Sequence, residues 1–299
     1  MIPEAFARGT LDREGDAGAA WLAKLPGIVE DLLSRWDCTV DGEVMHGGVG
    51  VIMPVQSAAG PAVLKVSFPH PGNVHEPDAF AAWGGRGAVL LYERDDFAML
   101  LERAHPSTLA ESSEIAAVAG QLNRRLAIPG PPALPRLQDQ ADGWEEQLHK
   151  DAVELEHPLP ASVVDAALAV IDELGRHQPD ILVHGDFHPR NILPADREPW
   201  LAVDPKGCVG DPAYDGATFL KPRALALVES EDLMKALHRE LDVFAEAAEL
   251  DRERVRRWAQ LQLVQAAFHG RRYGFRRARG GPFLDRLIAL VDQLAISWC

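Results

Sequence analysis

Hydrophobic and polar positions change their period partway along the chain. Between residues 38 and 101 the apolar runs are short, rich in Val and Leu, and bounded by glycine, proline or acidic clusters, which is the pattern of strands. Strands are predicted over 38–44, 49–56 and 62–68, with turns at 45–50 and 57–61, and a hairpin over 88–92 and 97–101 around Glu93-Arg94-Asp95-Asp96. A helix precedes them. Ala20, Trp21, Leu25, Ile28, Leu32 and Leu33 recur at helical spacing over 17–36, broken or kinked near Pro26, while residues 1–15 look poorly specified. A short helix is predicted over 74–83, with Pro77 tolerated in its first turn and a break at 84–87.

From residue 108 the helical period takes over. Ile115, Val118, Leu122 and Leu126 give 112–126 one apolar side. Residues 128–135 are too proline-rich for a helix and read as an exposed connector. Further helices are predicted up to His157, over 161–177, and over 224–250, 251–269 and 283–298, the 251–269 helix with Trp258, Leu261 and Gln265 along a face.

The chemistry concentrates at 181–206. Ile181-Leu182-Val183 is an apolar run, and His184-Gly185-Asp186-Phe187-His188-Pro189-Arg190-Asn191 follows it directly. Two more runs, Ile192-Leu193 and Leu201-Ala202-Val203, lead to Asp204-Pro205-Lys206. A short buried strand that delivers a carboxylate, an imidazole and an amide into one loop holds reactive groups on a rigid frame. Asn191 stands five residues after Asp186, with a second carboxylate ending the next strand, the layout of a kinase catalytic loop and its metal-binding Asp. Taken singly, Asp186 and Asp204 read equally well as strand-end caps or turn formers. His184 and His188 are a candidate zinc pair, but Pro189 argues against a helix placing them on one face, and no third ligand stands at a recognisable spacing.

This string, with Val203-Asp204-Pro205-Lys206-Gly207 and Gly210-Asp211-Pro212-Ala213-Tyr214-Asp215 behind it, resembles the aminoglycoside phosphotransferases, most of all the streptomycin 6-kinase and hydroxyurea kinase branch; residues 83–103 resemble the same branch. The resemblance covers most of 44–219. It implies an α+β, bilobal protein-kinase-like fold, with a small antiparallel-sheet N-lobe over 1–101 and a larger, mainly helical C-lobe over 102–299. ATP would lie between the lobes. Gly185 stands where protein kinases have an Arg, and Pro205-Lys206 replace Phe-Gly, so an activation-loop switch that docks phosphate on that Arg is not expected.

On this resemblance Asp186 is the base, and Asn191 and Asp204 are ligands of Mg²⁺, a hard ion that prefers oxygen donors. With an ordinary pKa of about 3.9, Asp186 would mainly orient the acceptor and take its proton late. His184 and Asp215 would support the loop. Gly47, Gly48 and Gly50 would let backbone approach the ATP phosphates, although such a string alone reads as a plain hairpin turn. Lys65 would meet the α- and β-phosphates, with Glu76 as its partner. Strand alternation puts Lys65 on a face with Val63 and Ser67, opposite Leu64 and Val66; an aggregation-blocking lysine on an edge strand is the competing reading. Glu76 would also suit the dipole at its helix start. Leu100, Leu101, Glu102 and Arg103 would form the hinge and offer backbone to adenine.

Charge and cysteine content narrow the partners. The formal net charge of −15 disfavours nucleic acid and anionic membranes and favours a cationic partner. The acids Asp139, Asp142, Glu145, Glu146, Asp151, Glu154 and Glu156 are a candidate cation site, with a solvated helix face as the competing reading. The arginines from Arg252 to Arg279 come with no RNA-module motif and read as solvated or ion-paired. Cys38, Cys208 and Cys299 show no paired spacing, and no uncharged apolar run approaches the ~18 residues of a membrane span, which together suit a reducing cytoplasm. The expected activity is transfer of the ATP γ-phosphate to a hydroxyl of a small antibiotic-like molecule, cationic or polyhydroxylated. An aminoglycoside such as streptomycin comes first, then hydroxyurea or a peptide antibiotic. A metabolic kinase for a sugar or amino alcohol is the second enzyme reading. A catalytically silent nucleotide-binding module is the rival of another class, and the intact set of Lys65, Asp186, Asn191 and Asp204 speaks against it.

Overall fold

The computed structural model describes residues 2–228, 230–275 and 280–298; Arg276, Arg277, Arg279 and Cys299 of the sequence analysis lie outside them. The chain divides into two units, Met1–Ser107 with Leu193–Lys206, and Thr108–Ile192 with Gly207–Cys299. The first unit thus runs past residue 101 and takes in a later segment. That segment belongs there for a physical reason: Ala202 bridges to Ala88, and Arg197 binds the Glu102 carboxylate and the carbonyls of Gly85 and Ala88.

The first unit is a sheet covered by a helix. Helix α1 (Glu4–Arg35) is interrupted at Gly15 (φ 56°, ψ −131°), while Pro26 is carried inside it. Residues 1–15, whose own pattern looks poorly specified, are thus helical from Glu4 onward. Their order comes from packing rather than from their own pattern: Phe6 is buried against Trp21, edge-on at 6.0 Å. Strands β1 (Thr39–Val40), β2 (Met45–His46), β3 (Gly50–Ser57) and β4 (Gly60–Ser67) come next, followed by helix α2 (Glu76–Trp83) and strands β5 (Leu91–Asp95) and β6 (Ala98–Glu102). The sheet is antiparallel in the order β1-β3-β4-β6-β5, with β2 also on β3. Val51, Met53 and Val55 of β3 join Ala62, Leu64 and Val66 of β4 in one core with Leu25 and Leu32 of α1. The expected strand over 38–44 shrinks to two residues, and the expected turn at 45–46 pairs as β2. Residues 88 and 89 leave the expected hairpin because their backbone bonds to the 201–202 segment: Val89 N–H donates to Ala202 at 3.2 Å.

The second unit is mainly helical. It contains α3 (Ile115–Leu126), α4 (Ala141–Glu154), α5 (Ala161–Val170), strand β7 (Ile181–Val183), α6 (Ala213–Ala226), α7 (Leu233–Ala248), α8 (Arg252–Tyr273) and α9 (Gly281–Ser297). β7 pairs antiparallel with Cys208–Gly210. The proline-rich 128–135 connector is tied in, since Leu182 N–H donates to Ile128 and Gly130 N–H to Asp180. The expected single helix over 224–250 is instead the end of α6 followed by α7. Helix α6 was hidden by turn-forming residues: Asp211 accepts from Ala213 N–H at 3.0 Å, and Pro212 sits at the cap. Phe187, Phe219, Phe244 and Trp258 fill the interior. Among the described residues, no helix is long and apolar enough to cross a membrane.

Candidate active site

In the first unit, Lys65 sits on β4, hydrogen-bonded on one side to β3 and on the other to β6, so it is not on an edge strand. It is 8 % exposed, and its Nζ donates to Glu76 Oε1 at 2.5 Å and to Asp204 Oδ1 at 2.7 Å. Burial alone would lower the lysine pKa, but Glu76 and Asp204 outweigh it and raise it above the usual value. Glu76, the first residue of α2, is 1 % exposed. Burial pushes its pKa up to about 7 against the pull of Lys65, and the charge of Asp204 adds to the rise. Asp204 has left-handed backbone (φ 59°) directly before Pro205. A non-glycine residue there costs roughly 1–3 kcal/mol, a strain typical of functional positions.

The other nucleotide-site candidates of this unit fall in less telling places. Gly47 and Gly48 are exposed between β2 and β3, and the Gly48 carbonyl accepts from Arg13 of α1 at 2.9 Å. Gly50 is glycine for a packing reason, since a Cβ there would stand 2.6 Å from Ser67 Oγ and 2.9 Å from the Val66 carbonyl. Leu100 and Leu101 are buried in β6 between two strands, with backbone committed to the sheet. Glu102 N–H donates to the Leu90 carbonyl at 2.8 Å, and its carboxylate is clamped by Arg197. Arg103 leaves the strand and binds Asp41 at 2.7 Å. Arg197, which sits in a connector with no periodic signal, was not foreseen.

In the second unit, the loop after β7 is shaped by hydrogen bonds to α6. Asp215, 2 % exposed in the first turn of that helix, accepts from His184 N–H at 2.9 Å and from Gly185 N–H at 2.8 Å. Gly185 has φ 81°, a left-handed conformation that a side chain would strain. Thr218, one helical turn beyond Asp215, accepts from Phe187 N–H at 2.9 Å. Its spacing from Asp215 was the signal available for it. His184 is buried, and its Nδ1 accepts from Asp186 N–H at 3.3 Å. Asn191 Nδ2 donates to the Asp186 carbonyl at 3.0 Å, which leaves the amide oxygen as the atom suited to a cation. The Asp186 side chain is 38 % exposed, with His188 Nε2 3.8 Å from its carboxylate. Burial, with help from Asp186 and Asp211, pushes the Asp215 pKa up to about 7 against its two backbone bonds. The structure thus gathers Lys65, Glu76 and Asp204 in one unit, and His184, Asp186, Asn191 and Asp215 in the other.

The acidic stretch of α4 is largely spent on arginines. Asp142 and Glu145 bind Arg176, while Asp151 and Glu154 bind Arg272. Arg254, Arg256, Arg257 and Arg271 likewise pair with Asp211, Asp242, Glu173 and Asp292.

The chain is similar to several known proteins. The streptomycin 6-kinase of Streptomyces glaucescens is 34 % identical over 274 residues, covering 89 % of each chain. The hydroxyurea phosphotransferase of Kitasatospora aureofaciens is 35 % identical over 88 % of this chain and 78 % of its own. Among solved structures, aminoglycoside phosphotransferase APH(4)-Ia superposes with a TM-score of 0.56 at 13 % identity, over 92 % of this chain and 99 % of that one. The choline kinase of Cryptosporidium parvum has the same score at 10 % identity, over 91 % and 95 %. These likenesses show a protein-kinase-like fold. Residues 35–274 match the family model described as aminoglycoside/hydroxyurea antibiotic resistance kinase, and the chain belongs to that family.

Proposed function

We propose that this small-molecule kinase moves the γ-phosphate of Mg²⁺-ATP to a hydroxyl of an antibiotic-like acceptor and so inactivates it. The observation that carries the reading is the buried ammonium of Lys65 held between Glu76 and the strained Asp204. Such a charge, oriented and desolvated before any ligand arrives, is suited to phosphate oxygens. Asp186, exposed on a loop that α6 holds in shape, addresses the acceptor. As the acceptor oxygen bonds to the γ-phosphorus, the bond to the β-phosphate oxygen breaks. ADP departs with that electron pair, and the hydroxyl proton passes to the Asp186 carboxylate. The Asn191 amide oxygen and the Asp204 carboxylate are hard donors suited to Mg²⁺, which when bound neutralises phosphate charge. For adenine, the backbone just past β6, from Arg103 onward, is the better candidate, since Leu100 and Leu101 are committed to the sheet.

Relatives named for streptomycin and hydroxyurea make those two molecules the first acceptors to try. The test is a screen of ATP consumption over hydroxylated antibiotics, with the phosphorylated product identified by mass spectrometry and Asp186→Asn as control. Turnover that survives in the control, or no turnover with any acceptor, would overturn the proposal.

A further inference from the structure

The glycine turn of the first unit is bonded unevenly. Every carbonyl from Gly47 to Gly50 accepts a hydrogen bond. Gly50 accepts from Gly47 N–H at 2.9 Å, and Val49 from Phe68 N–H at 2.7 Å. Gly47 accepts from His46 Nδ1 at 3.0 Å, an atom that must carry the proton because a carbonyl can only accept. Gly48 accepts from Arg13 Nη1 at 2.9 Å. The N–H groups of Gly48 and Val49, by contrast, have no acceptor among the described residues. With its negative ends engaged and these N–H groups to spare, the turn offers the kind of backbone surface that suits an anion.

Arg13 reaches the turn from 35 residues upstream because α1 folds back on itself at Gly15. Residues eight apart in a straight helix stand roughly 12 Å apart along its axis. Here a Cβ on Gly18 would stand 2.9 Å from the Thr10 carbonyl, so the two arms touch. Phe6 anchors the first arm, buried with its ring 5.7 Å from that of His46. Glu14 Oε1 accepts from Arg13 Nε at 2.5 Å, which holds the guanidinium in place and matches its charge. Arg13 therefore brings direction to the turn rather than net charge.

We infer that Arg13 is a positioning residue for the nucleotide: by holding the Gly48 carbonyl, it aims the Val49 N–H at the phosphates. The inference rests on the kinase reading above, with the 47–50 turn facing ATP. The Gly48 carbonyl and the Val49 N–H belong to one planar peptide unit and point in opposite directions, so fixing one fixes the other. Without Arg13 that unit can rotate easily, since Gly48 has no side chain to resist it. A carbonyl turned toward phosphate repels where an N–H attracts. His46 holds the preceding peptide unit, and with it the Gly48 N–H, in the same way. Arg13 lies ahead of residues 35–274, so this brace is not part of what the family model describes.

The probes are the N-methylanthraniloyl derivatives of ATP and AMP, titrated with Mg²⁺ into the full chain and read by fluorescence, so no acceptor need be known. Arg13→Ala should weaken the ATP probe about fivefold and leave the AMP probe within about twofold, the effect of one hydrogen bond felt through the outer phosphates. Its melting temperature should stay at the wild-type value, because the bonds of Arg13 are exposed. Arg13→Lys keeps a charged donor and should bind the ATP probe nearly as wild type does. Arg13→Gln decides by the same criterion if Arg13→Ala melts early. Equal losses for the two probes, or an early melt with the ATP affinity unchanged, would make Arg13 a structural residue and overturn the inference. Binding of the ATP probe that falls in Lys65→Met but not in Arg13→Ala would leave the kinase standing and sink the brace. No binding to the wild-type protein would overturn both.

Discussion

Glu76 and Asp215 are both carboxylates removed from water, one in each unit, and burial pushes each up to about 7. Their surroundings differ. Glu76 shares the Lys65 ammonium with Asp204, whereas Asp215 is held by two backbone N–H groups from a loop. Neutral donors fix the shape of a chain segment and offer no net charge to a ligand. An ammonium between two carboxylates, one of them nearly half exposed, can exchange part of its partnership for phosphate oxygens. The first unit therefore keeps charge in reserve for a ligand, and the second keeps geometry. Substitutions should separate the two.

The largest effect is expected at Asp186, the proposed base. Asp186→Asn keeps the loop bonds, which run through the backbone and Asp215, and should lower kcat by about 10²–10⁴ with an unchanged melting temperature. Single-turnover kinetics beside a thermal melt measure both. A variant that loses stability along with activity would show that Asp186 also braces the loop, and would blur the contrast.

Next comes the charge cluster. Lys65→Met leaves Glu76 buried without its ammonium, and breaking a buried pair in this way costs about 3–5 kcal/mol. Because the Glu76 pKa is already raised, the variant should protonate there as pH falls, so the loss should be larger at pH 8 than at pH 6. Replacing both partners, Lys65→Met with Glu76→Leu, should recover most of the stability and none of the activity. Urea titrations of the single and double variants decide this. A double variant as unstable as the single one would mean that the pair holds the sheet rather than awaiting a ligand.

Much of this contrast was legible in the sequence because short motifs carried it. Lys65 stood out as a lysine inside an apolar strand, Glu76 opened a short helix just beyond, and Asp186 and Asn191 fell within one loop. What escaped detection depends on distant partners. Arg197 clamps Glu102 from 95 residues away, and Arg272 reaches Asp151 from 121, so neither the clamp on Glu102 nor the spent acids of α4 could be read locally. Residues 4–15 are helical because Phe6 finds a core, not because their own period says so. Helix α6 was masked by the Gly-Asp-Pro that caps it, and Thr218 was hidden with it.

The smallest effect, and the one that isolates the neutral brace, is the pH dependence due to Asp215. Its folded pKa, about 7, lies above the ordinary value of 3.8, so between the two the folded protein holds a proton that the unfolded chain has released. Stability from this group is therefore complete below the lower value and is lost as pH rises through the upper one, at a slope of up to ~1.4 kcal/mol per pH unit. Glu76 has the same sign, and every other group in the protein adds its own slope. Asp215→Asn removes one proton site and leaves the others in place. The variant also sets an amide nitrogen against one of the two loop N–H donors, which costs about 1–3 kcal/mol at any pH. Melts of both proteins from pH 5 to pH 8 should thus show a constant penalty plus a gap that narrows as pH rises. A gap of one size across that range would mean that Asp215 is ionised throughout, with the two backbone bonds alone sufficient to hold its charge in the interior.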